Sequence, residues 1–243
     1  MDQISVLAAS GMRARMQSLD LLANNLANTS TSGYKGDGEF YSVFTSEAAS
    51  EDPTNEPATL PMIQRQWTDF TQGLLEPTDN PSDLGLSGKG FFVVQGPSGP
   101  LYTRNGNFHV SADGTLLNSD GYALLQSGGQ TFQADPAQRI DVSLDGNVRQ
   151  NGQDLGKLQL VDFPDTSVLM KHGSSYFRNA TEQTPVDVTD TQVYQGKVEA
   201  SNANAAQGAV RLVGVLRQFE MMRKAVTLAD DMGRKAIEEV AKV

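Results

Sequence analysis

An α+β fold is predicted, with paired N- and C-terminal coiled-coil-like helices and an antiparallel β-rich central domain. Three observations predict it: an apolar stripe at helical spacing at each end of the chain, and a middle of strand-like runs punctuated by Asx-Gly pairs. The 243 residues suffice for a buried core, and a 38% apolar, 20% charged composition matches neither wholesale disorder nor a membrane protein.

Residues 3–27 contain no Pro and a single Gly, so a helix can run through them unbroken. Within them Met12, Met16, Leu19, Ala23 and Leu26 recur at 4-3-4-3 spacing and share one helical face. Ala8, Ala9 and Gly11 are small enough for another helix to approach closely. The run from Asn28 through Ser32 competes for backbone hydrogen bonds and ends the helix, with Gly33 as the expected left-handed residue.

The C-terminal stripe is longer. Leu212, Val215, Phe219, Met222, Val226, Ala229, Gly233, Ala236 and Val240 step by three and four in alternation, and charged residues fill other positions. Four heptads of this kind read as a coiled-coil seam, with Asn202 or Asn204 capping the start. The simplest arrangement has the two stripes meet each other and then pack against neighbouring subunits. The expected assembly interface is Met12, Met16, Leu19, Leu26, Asn28, Leu212, Val215, Phe219, Met222, Val226 and Val240. A long helix packed only on its own body is the plainer alternative.

From about 85 to 190 the period changes to two. Asn105-Gly106, Asp113-Gly114, Asp120-Gly121, Asp145-Gly146 and Asn151-Gly152 are five Asx-Gly pairs within 48 residues. Each predicts a two-residue hairpin turn, because both central residues of a type I′ turn need positive φ. Phe91–Val94, Leu101–Thr103, Asn107–Val110 and Lys157–Phe163 supply the flanking strands. Residues 46–61 are acidic and Pro-rich and read as a loop, with Glu39–Phe44 and Ile63–Phe70 as the two arms of an extended connector. The expected division is therefore 1–30 with 196–243 as a helical domain, 31–84 as connector and 85–195 as β-domain.

Net charge is −10, distributed as zero over 1–30, −12 over 31–195 and +2 over 196–243. An acidic body disfavours nucleic acid as a partner, and near-neutral ends suit burial against other chains. The absence of Cys removes disulfide and thiolate chemistry. The first residues have neither a basic n-region nor a long apolar run, so no Sec-type signal peptide and no membrane insertion are expected.

Chemistry finds little to work with. His109 and His172 are the only imidazoles, one on an expected strand and one beside Gly173 in an expected loop. Asp113 lies near His109, but strand and turn histidines are usually structural. No calcium-loop or His-x-x-Glu spacing occurs. Gly85-Leu86-Ser87-Gly88-Lys89-Gly90 lacks the Ser/Thr after Lys and precedes a strand rather than a helix, so it reads as a turn into Phe91-Phe92 and not as a phosphate loop. No enzyme activity and no cofactor or metal are expected.

Three separated segments resemble the flagellar rod and hook family, the axial proteins of the bacterial flagellum. Asn24-Asn25-Leu26-Ala27-Asn28 through Gly33-Tyr34-Lys35 is similar to its N-terminal signature. Ser87–Val94, continued by Tyr102–Phe108 and Asp113-Gly114 to Gly121-Tyr122, is similar to its central β-domain. Gly196-Lys197-Val198-Glu199-Ala200-Ser201-Asn202-Ala203-Asn204 resembles the turn that opens its C-terminal helix, with Ala203 where the family usually has Val. Length, the short 46–61 loop and Arg217-Gln218-Phe219-Glu220-Met221 look more like proximal-rod than distal-rod members. The resemblance implies a structural subunit of the basal-body rod, exported by the flagellar type III apparatus without a cleaved signal. It implies as partners copies of itself and other rod and hook proteins, in a periplasmic tube whose core is lined by the terminal helices. A distal-rod or longer hook-type axial protein, or a carbohydrate-binding or -cleaving β-domain with oligomerising helices, are the competing readings.

Overall fold

The computed structural model describes residues 3–45, 59–181, 183–188 and 190–240, so most of the acidic 46–61 loop lies outside the described residues. The architecture is α+β, with two helices and an antiparallel β-rich core. The chain divides into two compact units, one of residues 1–27, 37–68 and 204–243 and one of residues 28–36 and 69–203.

The first unit holds helix α1 (Gln3–Ala27), strands β1 (Asp37–Thr45) and β2 (Thr59–Thr68), and helix α2 (Ala205–Val240). The two connector arms pair with one another as a long antiparallel hairpin, running from Asp37↔Thr68 to Thr45↔Thr59 with a bulge at Phe40/Tyr41. Helix α1 lies against both α2 and this hairpin. That contact is why the expected 31–84 connector is shared between the units. Asn25 fixes the start of the hairpin, its side chain donating to the Asp37 carbonyl at 2.7 Å and accepting from the Asp37 amide at 2.9 Å. Asn204 caps α2, accepting from the amides of Ala206 and Gln207 at 3.0 and 3.1 Å, so two otherwise orphaned donors are satisfied.

The second unit carries sixteen short strands among the described residues. They are β3 (Leu75–Pro77), β4 (Leu84–Ser87), β5 (Phe91–Gly96), β6 (Gly99–Thr103), β7 (Phe108–Val110), β8 (Leu116–Asn118), β9 (Ala123–Leu124) and β10 (Ile140–Val142). There follow β11 (Asn147–Gln150), β12 (Gln153–Lys157), β13 (Leu160–Asp162), β14 (Leu169–His172), β15 (Tyr176–Asn179), β16 (Val186–Asp187), β17 (Gln192–Gln195) and β18 (Lys197–Glu199). The main sheet runs β14-β15-β6-β5-β9-β8-β7, with β13 also on β5. Strand β17 pairs with β4 and β18 with β3, so residues 192–199 belong to this unit and not to the C-terminal helix.

Strand β5 is buried on both faces, which is why it reads as the unbroken run Phe91-Phe92-Val93-Val94. Phe92 and Val94 enter one apolar core with Leu84, Leu101, Phe108 and Leu116. Phe91 and Val93 enter a second with Tyr102, Phe163 and Phe177. Edge-to-face pairs such as Phe92–Phe108, with centroids 5.4 Å apart, add geometric preference to the burial.

The Asx-Gly pairs turn the chain by more than one device. Only Asn151-Gly152 has both residues at positive φ, 53° and 79°, as a type I′ turn requires. At Asp113-Gly114, Asp120-Gly121 and Asp145-Gly146 only the glycine is left-handed. Those loops close over three residues, with Ser111, Asn118 and Ser143 amides donating to the carbonyls of Thr115, Tyr122 and Asn147. Asn105-Gly106 is not a hairpin turn: neither residue has positive φ, and the Gly106 carbonyl accepts from the Leu84 amide at 2.9 Å. The expected strand 157–163 is likewise divided between β12 and β13.

Tyr176 is buried, with its hydroxyl donating to Asp120 and accepting from the Asn118 amide nitrogen at 2.8 Å. Burial, and then the Asp120 carboxylate, push its phenol well above the ordinary tyrosine value, and burial alone raises that of Tyr102. The unfolded chain therefore releases these protons near pH 10 while the folded chain holds them, so stability is lost as pH rises above about 10. Unfolding free energies from urea titrations are expected to fall between pH 9.5 and 11.5, by at most about 1.4 kcal/mol per pH unit for each tyrosine. Tyr176→Phe should shallow that slope, and an unchanged slope would show that Tyr176 is not its source.

Candidate functional site

Two features stand out, one in each unit. In the helical unit Leu212, Val215, Phe219, Met222 and Val226 of the predicted C-terminal stripe are half-buried, while the α2 residues described between them are exposed. Gly233 is exposed, and the side chains of Ala229 and Ala236 lie outside the described ones. On α1, Met12, Leu19 and Leu26 are half-buried and Ala14, Ser18, Leu21 and Leu22 fully so. Met16 departs from the expected stripe and is 55% exposed, because the buried face of α1 is centred on the 14-18-21-22 positions instead. Asn28 ends the helix half-buried and accepts from the Thr31 hydroxyl at 3.1 Å. Val240 is the last described residue of α2, and its side chain lies outside the described ones.

Between the helices and hairpin sits a small polar contact. The buried Ser18 hydroxyl donates to Glu39 at 2.7 Å, and Arg211 of α2 reaches the same carboxylate oxygen at 3.8 Å. Arg211 is largely exposed, so this ion pair contributes at most about 1 kcal/mol.

In the β unit the sequence signatures converge on one buried ion cluster. Glu199 is wholly buried; one carboxylate oxygen accepts from Lys35 Nζ at 2.5 Å and from the Gly73 amide at 2.9 Å. The other accepts from Arg104 Nη1 at 3.0 Å. Lys35 also donates to the Thr71 carbonyl at 2.6 Å, and Arg104 Nη2 to the Gly88 carbonyl at 2.7 Å. Arg104 stacks 5.4 Å from the Phe91 ring centre. Burial outweighs the Glu199 carboxylate and, with Arg104 nearby, holds the Lys35 ammonium below the ordinary lysine value.

Around the cluster, Gly33 adopts φ +68°, as its sequence context predicted, and a Cβ there would stand 2.2 Å from the Asn105 amide nitrogen. Asn202, the other candidate helix cap, is used differently. It accepts from the Gly36 amide at 2.7 Å and donates to the Asp69 carbonyl at 2.7 Å. Gly33, Lys35, Arg104, Glu199 and Asn202 each stand in a motif quoted from the sequence, yet nothing local in the motifs says that they meet.

His109 lies exposed on β7 and His172 ends β14, and among the described residues no group of three His, Asp or Glu is placed to hold a metal. Gly85–Gly90 forms the end of β4 and the turn into β5.

Known proteins give this arrangement its class. Residues 7–35 match the flagella basal body rod protein family, residues 85–150 the flagellar hook protein FlgE/F/G D1 domain, and residues 194–239 the C-terminal region of flagellar basal body rod FlgEFG proteins. Helical ends and a β-body carrying these three regions in order define a flagellar axial protein. The flagellar basal-body rod protein FlgF of Caulobacter vibrioides is 32% identical over 244 residues, covering 100% of both chains. FlgF of Mesorhizobium japonicum is 29% identical over 93% of this chain and 94% of its own. The rod protein FlgG of Buchnera aphidicola subsp. Acyrthosiphon pisum is 29% identical over 94% and 96%. The chain belongs to the flagellar basal-body rod protein family and is a structural protein of the rod.

Proposed function

We propose that the chain is a FlgF-like subunit of the proximal rod, stacking with copies of itself and other axial proteins into a helical tube that transmits torque and passes exported subunits. It reaches the periplasm through the flagellar type III apparatus. In this reading α1 and α2 pair as a short coiled coil along Met12, Leu19 and Leu26 and along Leu212, Val215, Phe219, Met222 and Val226, with Asn28 at its end and Val240 extending the seam.

The observation that carries it is a second apolar face on α2. Val210, Met221, Leu228 and Met232 are 74%, 61%, 62% and 64% exposed, on the side of the helix away from the half-buried stripe. Gly214 lies among them, with nothing within 4 Å of a Cβ built on it. A surface helix keeps one apolar face, whereas a helix with two is built to be covered on both. Burying each of these side chains against a neighbour is worth about 1.5–3 kcal/mol, which the isolated chain forgoes. Met16 of α1 is exposed as well.

The test is a Met221→Asp, Leu228→Asp double substitution. Rod incorporation in isolated basal bodies and swimming are expected to be lost, while the purified protein keeps wild-type helix content. Normal incorporation would reject the outward face as the assembly surface.

A further inference from the structure

We infer that Glu199 is a latch that docks the N-terminal stem, residues 28–36, onto the β unit only after the far end of the chain has taken its place there. Other contacts hold the stem as well: the Asp69 amide donates to the Gly36 carbonyl at 2.8 Å, and Lys171 donates to the Lys35 carbonyl at 2.5 Å while lying 4.3 Å from the Tyr34 ring centre. The bonds through residues 199–202, however, are the ones that reach Gly33, Tyr34, Lys35 and Gly36 in turn. The Gly33 amide donates to the Glu199 carbonyl at 2.7 Å, and Lys35 reaches the Glu199 carboxylate across 164 residues of sequence. The Asn202 amide donates to the Tyr34 carbonyl at 3.3 Å, and the Gly36 amide to the Asn202 side chain at 2.7 Å. Part of the other ground on which the stem rests, Thr71 and its neighbour Gly73, is held by the same two residues: Glu199 accepts the Gly73 amide, and Asn202 donates to the Thr71 carbonyl at 3.1 Å.

Charge favours this order. Without Glu199, a docked stem would set the Lys35 ammonium beside the Arg104 guanidinium, side chains 1% and 5% exposed in the folded chain, and neither would have the carboxylate that bonds both. Two uncompensated cations are not kept in such a place. Glu199 in turn is set by its own strand, since β18 pairs with β3 and the Ala200 amide donates to the Leu74 carbonyl at 2.8 Å. The stem follows α1 in sequence and residues 200–203 precede α2, so one carboxylate orders both departures of the chain toward its helices together. The central strands β5, β6 and β15 need none of these bonds and form the part of the unit that can stand with the stem undocked.

Amide hydrogen exchange on the full chain tests this. In Glu199→Gln the amides of Gly33, Gly36 and Gly73 are expected to exchange about 100-fold faster, with amides of the β5–β6 ladder changing less than about 3-fold. No change at the three glycines, or an equal acceleration in β5 and β6, would overturn the latch in favour of a general contribution to stability. If the variant does not fold, the wild-type protein in low urea decides. Gly33, Gly36, Gly73 and Asn202 are then expected to open as one unit ahead of β5 and β6, whereas independent opening of Gly33 and Asn202 would equally overturn it.

Discussion

Gly106→Ala is expected to lower the stability of the β unit by more than about 4 kcal/mol, and at 37 °C to leave most of the chain unfolded. The reason is steric and involves backbone alone. A Cβ at position 106 would stand 1.6 Å from the Leu84 carbonyl oxygen and 2.7 Å from its carbon. Neither atom can swing aside as the tip of a side chain would, because Leu84 is at 0% exposure in the core and its amide is bonded to the Gly106 carbonyl. Gly121→Ala is the matched control. It also replaces an Asx-Gly glycine, but at φ +82° and with open space around the missing methyl. Its cost is confined to the left-handed backbone, about 1–2 kcal/mol. Urea unfolding of the two variants separates the effects. Equal losses would mean that the 84–106 crossing is far looser than its geometry.

That contrast also marks how far the sequence could be read. Gly106 and Gly121 sit in the same kind of dipeptide, and the dipeptide does report a bend or close approach in all five cases. It does not report which, because the choice is made by the strand that passes on the other side. Strand β5 was legible because two buried faces demand four apolar residues in succession, and α2 because one side of a long helix repeats at three and four. The β1–β2 hairpin was hidden by Pro61, whose backbone a two-stranded ribbon accepts because both of its strands are edges, and by the polar run Gln64-Arg65-Gln66, which interrupts the apolar period in the sequence. Lys35, Arg104 and Glu199 each look like a solvated surface charge when read along the chain. Their joint burial depends on contacts 95 and 164 residues apart, which no local period carries. The outward face of α2 was within reach: Val210, Met221, Leu228 and Met232 also fall at helical spacing, but the stronger 212–226 ladder drew the whole apolar signal to one side.

Phe219→Asp should then separate the two faces of α2. Phe219 is the largest side chain of the half-buried stripe, and Asp there loses up to about 1.5–3 kcal/mol of apolar burial before the cost of half-burying a charge is counted. Helix α2 has little intrinsic margin to absorb this, since Gly208, Gly214 and Gly233 each lower its helix propensity by about 1 kcal/mol relative to Ala. The expected result is loss of much of the helical circular dichroism together with loss of rod incorporation, while the β unit keeps its own urea transition. The Met221→Asp, Leu228→Asp chain should fail in the same motility assay with its helix signal intact. One phenotype with two different spectra follows only if the inward face builds the helical unit and the outward face joins it to its neighbours. Retained helicity in Phe219→Asp would remove the inward role, and normal swimming would remove the seam from assembly altogether.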